Sequence, residues 1–292
     1  MKKRGLFFLI VFCCVASIYG IDIRVSTHDI SIHLTDSMMT ADIHEWINDY
    51  SYNSVIEEYP VTWEIVNNIP YISFNYNGTF MDVYNAPKVL HGNKKYLVLF
   101  SSNFLFFYDE NNNIVYSLVS GLVSIVYSYS STDTYHERRN VPSSVSISAS
   151  TELKENDTFY SAANLLLSNK LIPYAEGVSG SGIGEKIRIE SRKTDNRFDA
   201  IYSLYISNGF IDYNRPHLFE YNNRLKKVRV HHIETNEYKD FDLQDTPNIQ
   251  EFVLNFNSRA PIIEIEILEV YKGTRWDDTC VNLLIPGLFE MR

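Results

Sequence analysis

The chain has 292 residues, 45% hydrophobic and 21% charged, a globular composition long enough for two domains of ordinary size. Its 26 lysines and arginines face 36 aspartates and glutamates, a formal net charge of −10. That balance argues against a nucleic-acid partner, because binding a phosphate backbone needs clustered cations.

Residues 1–20 read as a secretory signal. Lys2, Lys3 and Arg4 form the charged start, Leu6 to Val15 is an apolar run too short to span a membrane, and Ala16, Ser17 and Gly20 offer cleavage near residue 20. Cys13-Cys14 raises lipidation as a second reading, ranked lower because bulky Phe12 precedes Cys13. No later apolar run reaches membrane length, so the mature chain is expected to have no transmembrane helix. It would keep Cys280 alone, a buried strand thiol with no disulfide partner.

With 21 Tyr and 17 Phe, the chain favours β-structure, since aromatic rings pack well on pleated half-buried surfaces. Ile21 to Ile32 alternates weakly and suits a first strand. Ile43, Trp46, Ile47 and Tyr50 fall at helical spacing and predict one short helix. From Pro60 the period is two. Ile72, Phe74 and Tyr76 lead to Asn77-Gly78, a strong hairpin signal, with Phe80 to Tyr84 as the return strand. Tyr96 to Phe100 and Phe104 to Tyr108 make a second hairpin, followed by a strand over Ile114 to Val119.

Tyr127 to Asn156 turns to Ser, Thr, Asn and charge, the mark of a boundary, although Val141 to Thr151 already suits the first strand of a second domain. The stretch Tyr160 to Glu185 carries glycines at 177, 180, 182 and 184, which imply tight turning or close backbone approach. No amphipathic helix comes after them, so they are not a dinucleotide cradle. Ile187 and Ile189 then alternate with Lys186, Arg188 and Glu190. Ala200, Tyr202, Leu204 and Ile206 share one strand face, as do Phe252, Leu254 and Phe256. Ile263, Ile265 and Ile267 alternate, then Leu268 and Val270 continue in the opposite phase, which predicts a β-bulge. No long helix interrupts these strands, so a β-sandwich is the expected architecture.

Tyr160, Ala163-Asn164-Leu165-Leu166, Glu176-Gly177 and Gly182-Ile183-Gly184-Glu185 are followed by Asn208-Gly209-Phe210, then Asn222-Asn223-Arg224 with Lys226. Val270 to Gly273 then leads to Asp278-Thr279-Cys280. This series, over about half the chain, resembles the NADase-type glycan-binding domain, a discoidin-like module of the galactose-binding fold found in secreted bacterial proteins. The resemblance implies Asn164, Glu176, Gly177, Gly182, Gly184, Glu185, Asn208, Gly209, Asn222, Arg224 and Asp278 as family positions, and a glycan or cell-envelope surface as ligand. Two departures stand where calcium-binding relatives carry carboxylates. Leu167, followed by Ser168, occupies one place, and Asn282-Leu283 replaces a serine-glutamate pair. Calcium needs six to eight oxygen ligands, so the implication is a metal site that has been emptied.

Candidate chemistry is sparse. His231 and His232 are strand neighbours aimed at opposite faces, which suits solvated histidines and not one shared ion. Glu176, Glu185, Asp277 and Asp278 could in principle supply an acid and a base for glycoside hydrolysis, but sequence spacing fixes no carboxyl separation. There is no Gly-x-Ser-x-Gly elbow. The sequons at Asn77 and Asn156 read as incidental. Asn222 and Arg224 are assigned to holding loop backbone, whereas Tyr174, Phe210, Tyr213 and Trp276 are the candidate sugar-contacting aromatics.

The resulting expectation is a mainly all-β chain. A discoidin-like jelly-roll sandwich occupies 145–292, and a smaller antiparallel β-rich domain with a short helix occupies 21–126. Residues 127–144 link them. The function expected is non-enzymatic binding by an exported, secreted, periplasmic or envelope-associated protein, with no cofactor or metal. The alternative is a protein-interaction or scaffold module whose sugar site has degenerated, and an envelope-polymer enzyme comes third for want of a catalytic set.

Overall fold

The computed structural model describes residues 21–27, 29–48, 51–82, 88–120, 145–166, 170–191 and 200–289. The signal segment with Cys13 and Cys14, the 127–144 linker, Tyr50, Leu167 and Ser168 lie outside them.

The first half is an eight-stranded antiparallel sheet. Its strands are β1 (Asp22–Ser26), β2 (Ile30–Thr35), β3 (Met38–Asn48), β4 (Ser51–Val66) and β5 (Ile69–Phe74). A small two-stranded ribbon comes next, β6 (Thr79–Asp82) with β7 (Lys88–His91). The sheet then resumes with β8 (Lys95–Phe100), β9 (Phe104–Tyr108) and β10 (Ile114–Val119).

Two expectations are corrected here. Of the helix predicted over Ile43 to Tyr50, the described residues Ile43 to Asn48 are the end of β3, whose residues pair with β4 from Met38↔Pro60 to Asn48↔Ser51. A helical spacing of four apolar residues is outweighed by a continuous cross-strand ladder, because isolated short helices are marginal. The Asn77-Gly78 turn does not fold β6 back on β5. The far side of β5 is taken by β8, and β6 pairs instead with β7. Phe80 and Leu90 of that ribbon then drop into the core. The β8–β9 hairpin and β10 form as expected.

The second half contains β11 (Val145–Ala149), the hairpin β12 (Leu153–Glu155) and β13 (Thr158–Tyr160), a 3-10 turn (Ala162–Leu165) and β14 (Tyr174–Ala175). Next come β15 (Lys186–Ser191), β16 (Ala200–Asn208), the single-turn helix α1 (Leu218–Tyr221), β17 (Asn223–His232) and β18 (Glu237–Asp242). The chain closes with β19 (Gln250–Val253), β20 (Ile262–Tyr271) and β21 (Thr279–Phe289). One layer runs β11-β15-β20-β17-β18 and the other β14-β21-β16-β19. A short parallel contact, Asn223↔Thr279 and Arg224↔Cys280, joins them. Between the layers Ile187, Ile189, Val228, Val230, Ile263 and Ile265 meet Leu204, Ile206, Val281 and Leu284, which makes this half a β-sandwich. The predicted bulge is present. Val228 pairs with Ile267 and Lys227 with Glu269, so Leu268 is skipped.

A third apolar core joins the halves. Tyr71, Leu97, Leu99, Phe104, Phe106 and Tyr108 meet Tyr205, Ile211, Phe219, Ile249, Leu283 and Ile285. Alternate residues of β8 and β9, such as Val98, Leu105 and Phe107, face the first core instead. Sheets buried on both faces need apolar residues at every position, which is why Phe104–Tyr108 and most of β16 and β21 show no polar alternation. Among the described residues no helix is long and apolar enough to cross a membrane.

Candidate binding surface

Glu176 follows β14 and is fully buried. Its Oε1 accepts from Thr279 N (3.2 Å) and its Oε2 from Val178 N (2.8 Å), while Thr279 Oγ1 donates to Ser181 O (2.8 Å). Burial pushes the Glu176 carboxyl above its usual range, against the downward pull of those two N–H groups. Gly182 sits over it with φ +61°, and a Cβ there would lie 2.5 Å from Glu176 Cγ. Gly177 is held as closely, with its missing Cβ 2.5 Å from Glu152 O. Glu185 accepts from the Ser150 and Thr151 hydroxyls and ties this loop to the end of β11. Both carboxylates are engaged, Glu176 by backbone N–H groups and Glu185 by side-chain hydroxyls.

Asn208, Asn222 and Arg224 are likewise internal. Asn208 donates to Leu225 O (2.7 Å) and accepts from Leu225 N and Gly209 N. Gly209, at φ +79°, leaves room for the Phe219 ring. Asn222 donates to Leu218 O (2.9 Å). Arg224 makes a bidentate pair with Asp245 (2.6 and 2.8 Å) and donates to Phe219 O and Asn222 O. Asn164 donates to Phe159 O and Pro173 O. The donors of Arg224 are thus committed inside the protein, which suits holding structure and not a ligand.

The four candidate aromatics do not converge. Tyr174 belongs to the sandwich core, with its hydroxyl donating to Thr151 O (3.1 Å). Tyr213 lies between the halves, its ring edge-on to Tyr71 and its hydroxyl donating to Lys95 O (3.0 Å). Phe210 is half-buried against Tyr160. Trp276 alone of the four is exposed, at 38%. Tyr174 is not on a loop but in β14, both of whose residues are buried.

Trp276 is held in a defined setting. The loop after β20 is sewn to the end of α1: Thr274 N donates to Glu220 O, and Arg275 N and Trp276 N both donate to Tyr221 O. These bonds satisfy carbonyls that a helix end leaves unpaired. Asn223 holds the loop from beneath, accepting from Gly273 N and donating to Asp277 O. The Trp276 ring is edge-on to Tyr221, whose ring contacts His217, and the Arg275 guanidinium lies 4.7 Å from the Trp276 centroid and 5.6 Å from that of Tyr221. Glu220 is anchored across the junction by Asn67 and Asn68. Beyond the loop, burial first, then Glu155 and Asp277, raises the Asp278 carboxyl above its usual range.

The sequence reading named Trp276 but not its neighbours Tyr221 and Arg275, nor His217 beyond them. The adjacency of Arg275 to Trp276 was the available signal, whereas only the fold brings Tyr221 beside them. His231 and His232 do point to opposite faces, but only His231 fits the solvated reading, stacked on Tyr238. His232 is fully buried, its Nε2 against Ser258 Oγ and Arg259 O. Cys280 is buried, and burial holds its thiol well above the usual range. Leu283, read from sequence as a lost carboxylate, fills the core between the halves. Its apolar character answers to that packing.

Strands, layers and core define a mainly β protein whose second half is a sandwich of the discoidin-like class. The profile described as NAD glycohydrolase translocation F5/8 type C domain matches residues 135–284, just over half of the chain, and the chain belongs to that family. Among solved structures it is similar to the family 32 carbohydrate-binding module from C. perfringens NanJ, in complex with galactose, at 14% identity and a TM-score of 0.34. That match covers 49% of this chain and 93% of the module. No curated protein matches the chain.

Proposed function

We propose that the chain is an exported bacterial, non-enzymatic binding protein that recognises glycan or a cell-envelope surface through its second half. The division into a binding domain over 145–292 and a smaller domain over 21–126 is part of the same proposal. One observation carries it: an exposed indole, Trp276, fixed by its own backbone bonds and backed by Tyr221 and Arg275. Sugar rings offer C–H faces to aromatic rings and hydroxyls to guanidinium donors, so this combination suits a glycan. Membership of the F5/8 type C family accords with a binding role. The test is a glycan array probed with the wild type and with Trp276→Ala. Loss of specific glycans in the variant supports the reading, and a wild type that binds none removes it.

The protein-interaction reading rests on a different observation. The outer face of β16 and β21 already packs against another sheet, through Tyr205, Leu283 and Ile285. The sandwich thus already uses that face to hold another protein sheet, and a wild type that binds no glycan would favour this reading.

A further inference from the structure

Strand β4 is sixteen residues long, and its two edges are covered unequally. Along one edge β3 pairs with it from Ser51 to Pro60. Along the other, β5 covers only Val61 to Val66. The direction of its backbone groups can be read from two bonds. Asn75 N donates to Pro60 O on the β5 side, and Val61 N donates to Ser37 O on the β3 side. N–H and C=O of one strand residue point the same way and alternate along the strand, so the even-numbered residues address the β5 side. Ser54, Ile56 and Glu58 therefore aim their backbone donors and acceptors at an edge where no strand pairs with them among the described residues.

That edge is protected only towards one end, by Glu57, Glu58 and Pro60. It carries no lysine and no bulge between Tyr52 and Pro60, and it presents Ile56 at 63% and Val55 at 36% exposure. Its sequence is also complementary to itself. With Val55 on a two-fold axis, antiparallel pairing sets Ser54 opposite Ile56, Asn53 opposite Glu57 and Tyr52 opposite Glu58. No carboxylate then meets another. Moving the axis to Glu57 would set Glu57 against its own copy, which is disfavoured.

We propose that this edge pairs with the same edge of a second copy, joining two eight-stranded sheets across a two-fold axis. Ser54 and Ile56 exchange backbone hydrogen bonds with Ile56 and Ser54 of the other copy. Val55 meets its mate at the axis as a close non-hydrogen-bonded pair, and the exposed Ile56 side chains cover each other diagonally. The interface is isologous and closed, so it yields a dimer and not a filament.

Sedimentation of the purified protein over roughly 1 to 100 µM, the range where a modest interface assembles, reads this directly. The wild type is expected to dimerise. Ile56→Pro removes an N–H that points away from β3, so the variant should keep its far-ultraviolet spectrum and be monomeric. Asn53→Glu sets two carboxylate pairs face to face and should weaken the dimer about tenfold. Val55→Cys should cross-link to itself under mild oxidation in a chain with Cys13 and Cys14 replaced by serine. A wild type that stays monomeric over this range overturns the proposal. So does a dimer that survives both Ile56→Pro and Asn53→Glu.

Discussion

The ring of Phe104 in β9 packs edge-on against Tyr205 in β16, with centroids 4.7 Å apart, and this pair sits in the core that joins the two halves. Tyr205 is fully buried, and its hydroxyl donates to Glu251 (2.9 Å). Replacing it by alanine removes a large buried ring and leaves a cavity on the joining face. Tyr205→Ala is expected to lose about 3–5 kcal/mol in urea unfolding, the range for a buried aromatic truncated to alanine. The isolated fragment 145–292 should fold, because its inner core is complete, but melt below the full chain since Tyr205, Leu283 and Ile285 would then be wetted. A fragment with the full chain's melting temperature would show that the joining core adds nothing.

Gly182 and Gly184 separate backbone strain from collision. Both have positive φ, +61° and +93°, but only Gly182 has side-chain atoms where a Cβ would stand. Gly184→Ala should cost about 1–2 kcal/mol from conformation alone. Gly182→Ala should cost clearly more, because the Glu176 carboxylate and its two N–H bonds must shift. Equal losses in thermal or denaturant unfolding would refute the clamp.

Asp278 predicts a pH dependence. Its folded carboxyl is raised above the ordinary value of 3.8, first by burial, then by Glu155 and Asp277. The folded state therefore holds this proton more tightly than the unfolded chain does. The resulting stabilisation is complete below about pH 3.8 and lost as pH rises through the raised folded value. Asp278→Asn should accordingly be more stable than wild type at neutral pH, with the gap closing on acidification. Unfolding curves at pH 7 and at the lowest pH where the protein stays folded measure it, and a gap that widens in acid would contradict the assignment.

Arg224 and Arg275 should separate stability from binding. Arg224 is buried and donates to the buried Phe219 O and Asn222 O as well as to the more exposed Asp245, so Arg224→Ala is expected to cost about 2–3 kcal/mol, as leaving buried carbonyls unsatisfied does. Arg275 is exposed and stacked on rings, so Arg275→Ala should leave melting within a degree or two of wild type while weakening any glycan bound at Trp276. A melting loss in Arg275→Ala comparable to that of Arg224→Ala would count against the binding surface.

Calcium should leave the melting curve unchanged between EDTA and a few millimolar metal. A micromolar site would add ~4 kcal/mol at millimolar calcium, a shift of several degrees. Such a shift, abolished by EDTA, would mean that other oxygens assemble a site.

Period-two patterning and the phase slip at Leu268 are local properties, so β15, β16, β17 and β20 with its bulge were legible in sequence, whereas β12, β13, β14 and β18 were not. So was the motif series that carries the family resemblance. The partners of each strand were not. Whether Ile43 to Ile47 becomes helix or strand depends on the β4 ladder beside it, and whether β6 returns to β5 depends on β8 having taken that edge. Tyr174 and Trp276 looked alike as aromatics, and only packing decided that one fills a core while the other meets solvent. Leu283 looked like a missing ligand until the joining core gave it a neighbour in Tyr205. Sequence determines what each segment can bury, but which faces are buried depends on contacts between residues far apart in the chain, and local pattern does not encode those.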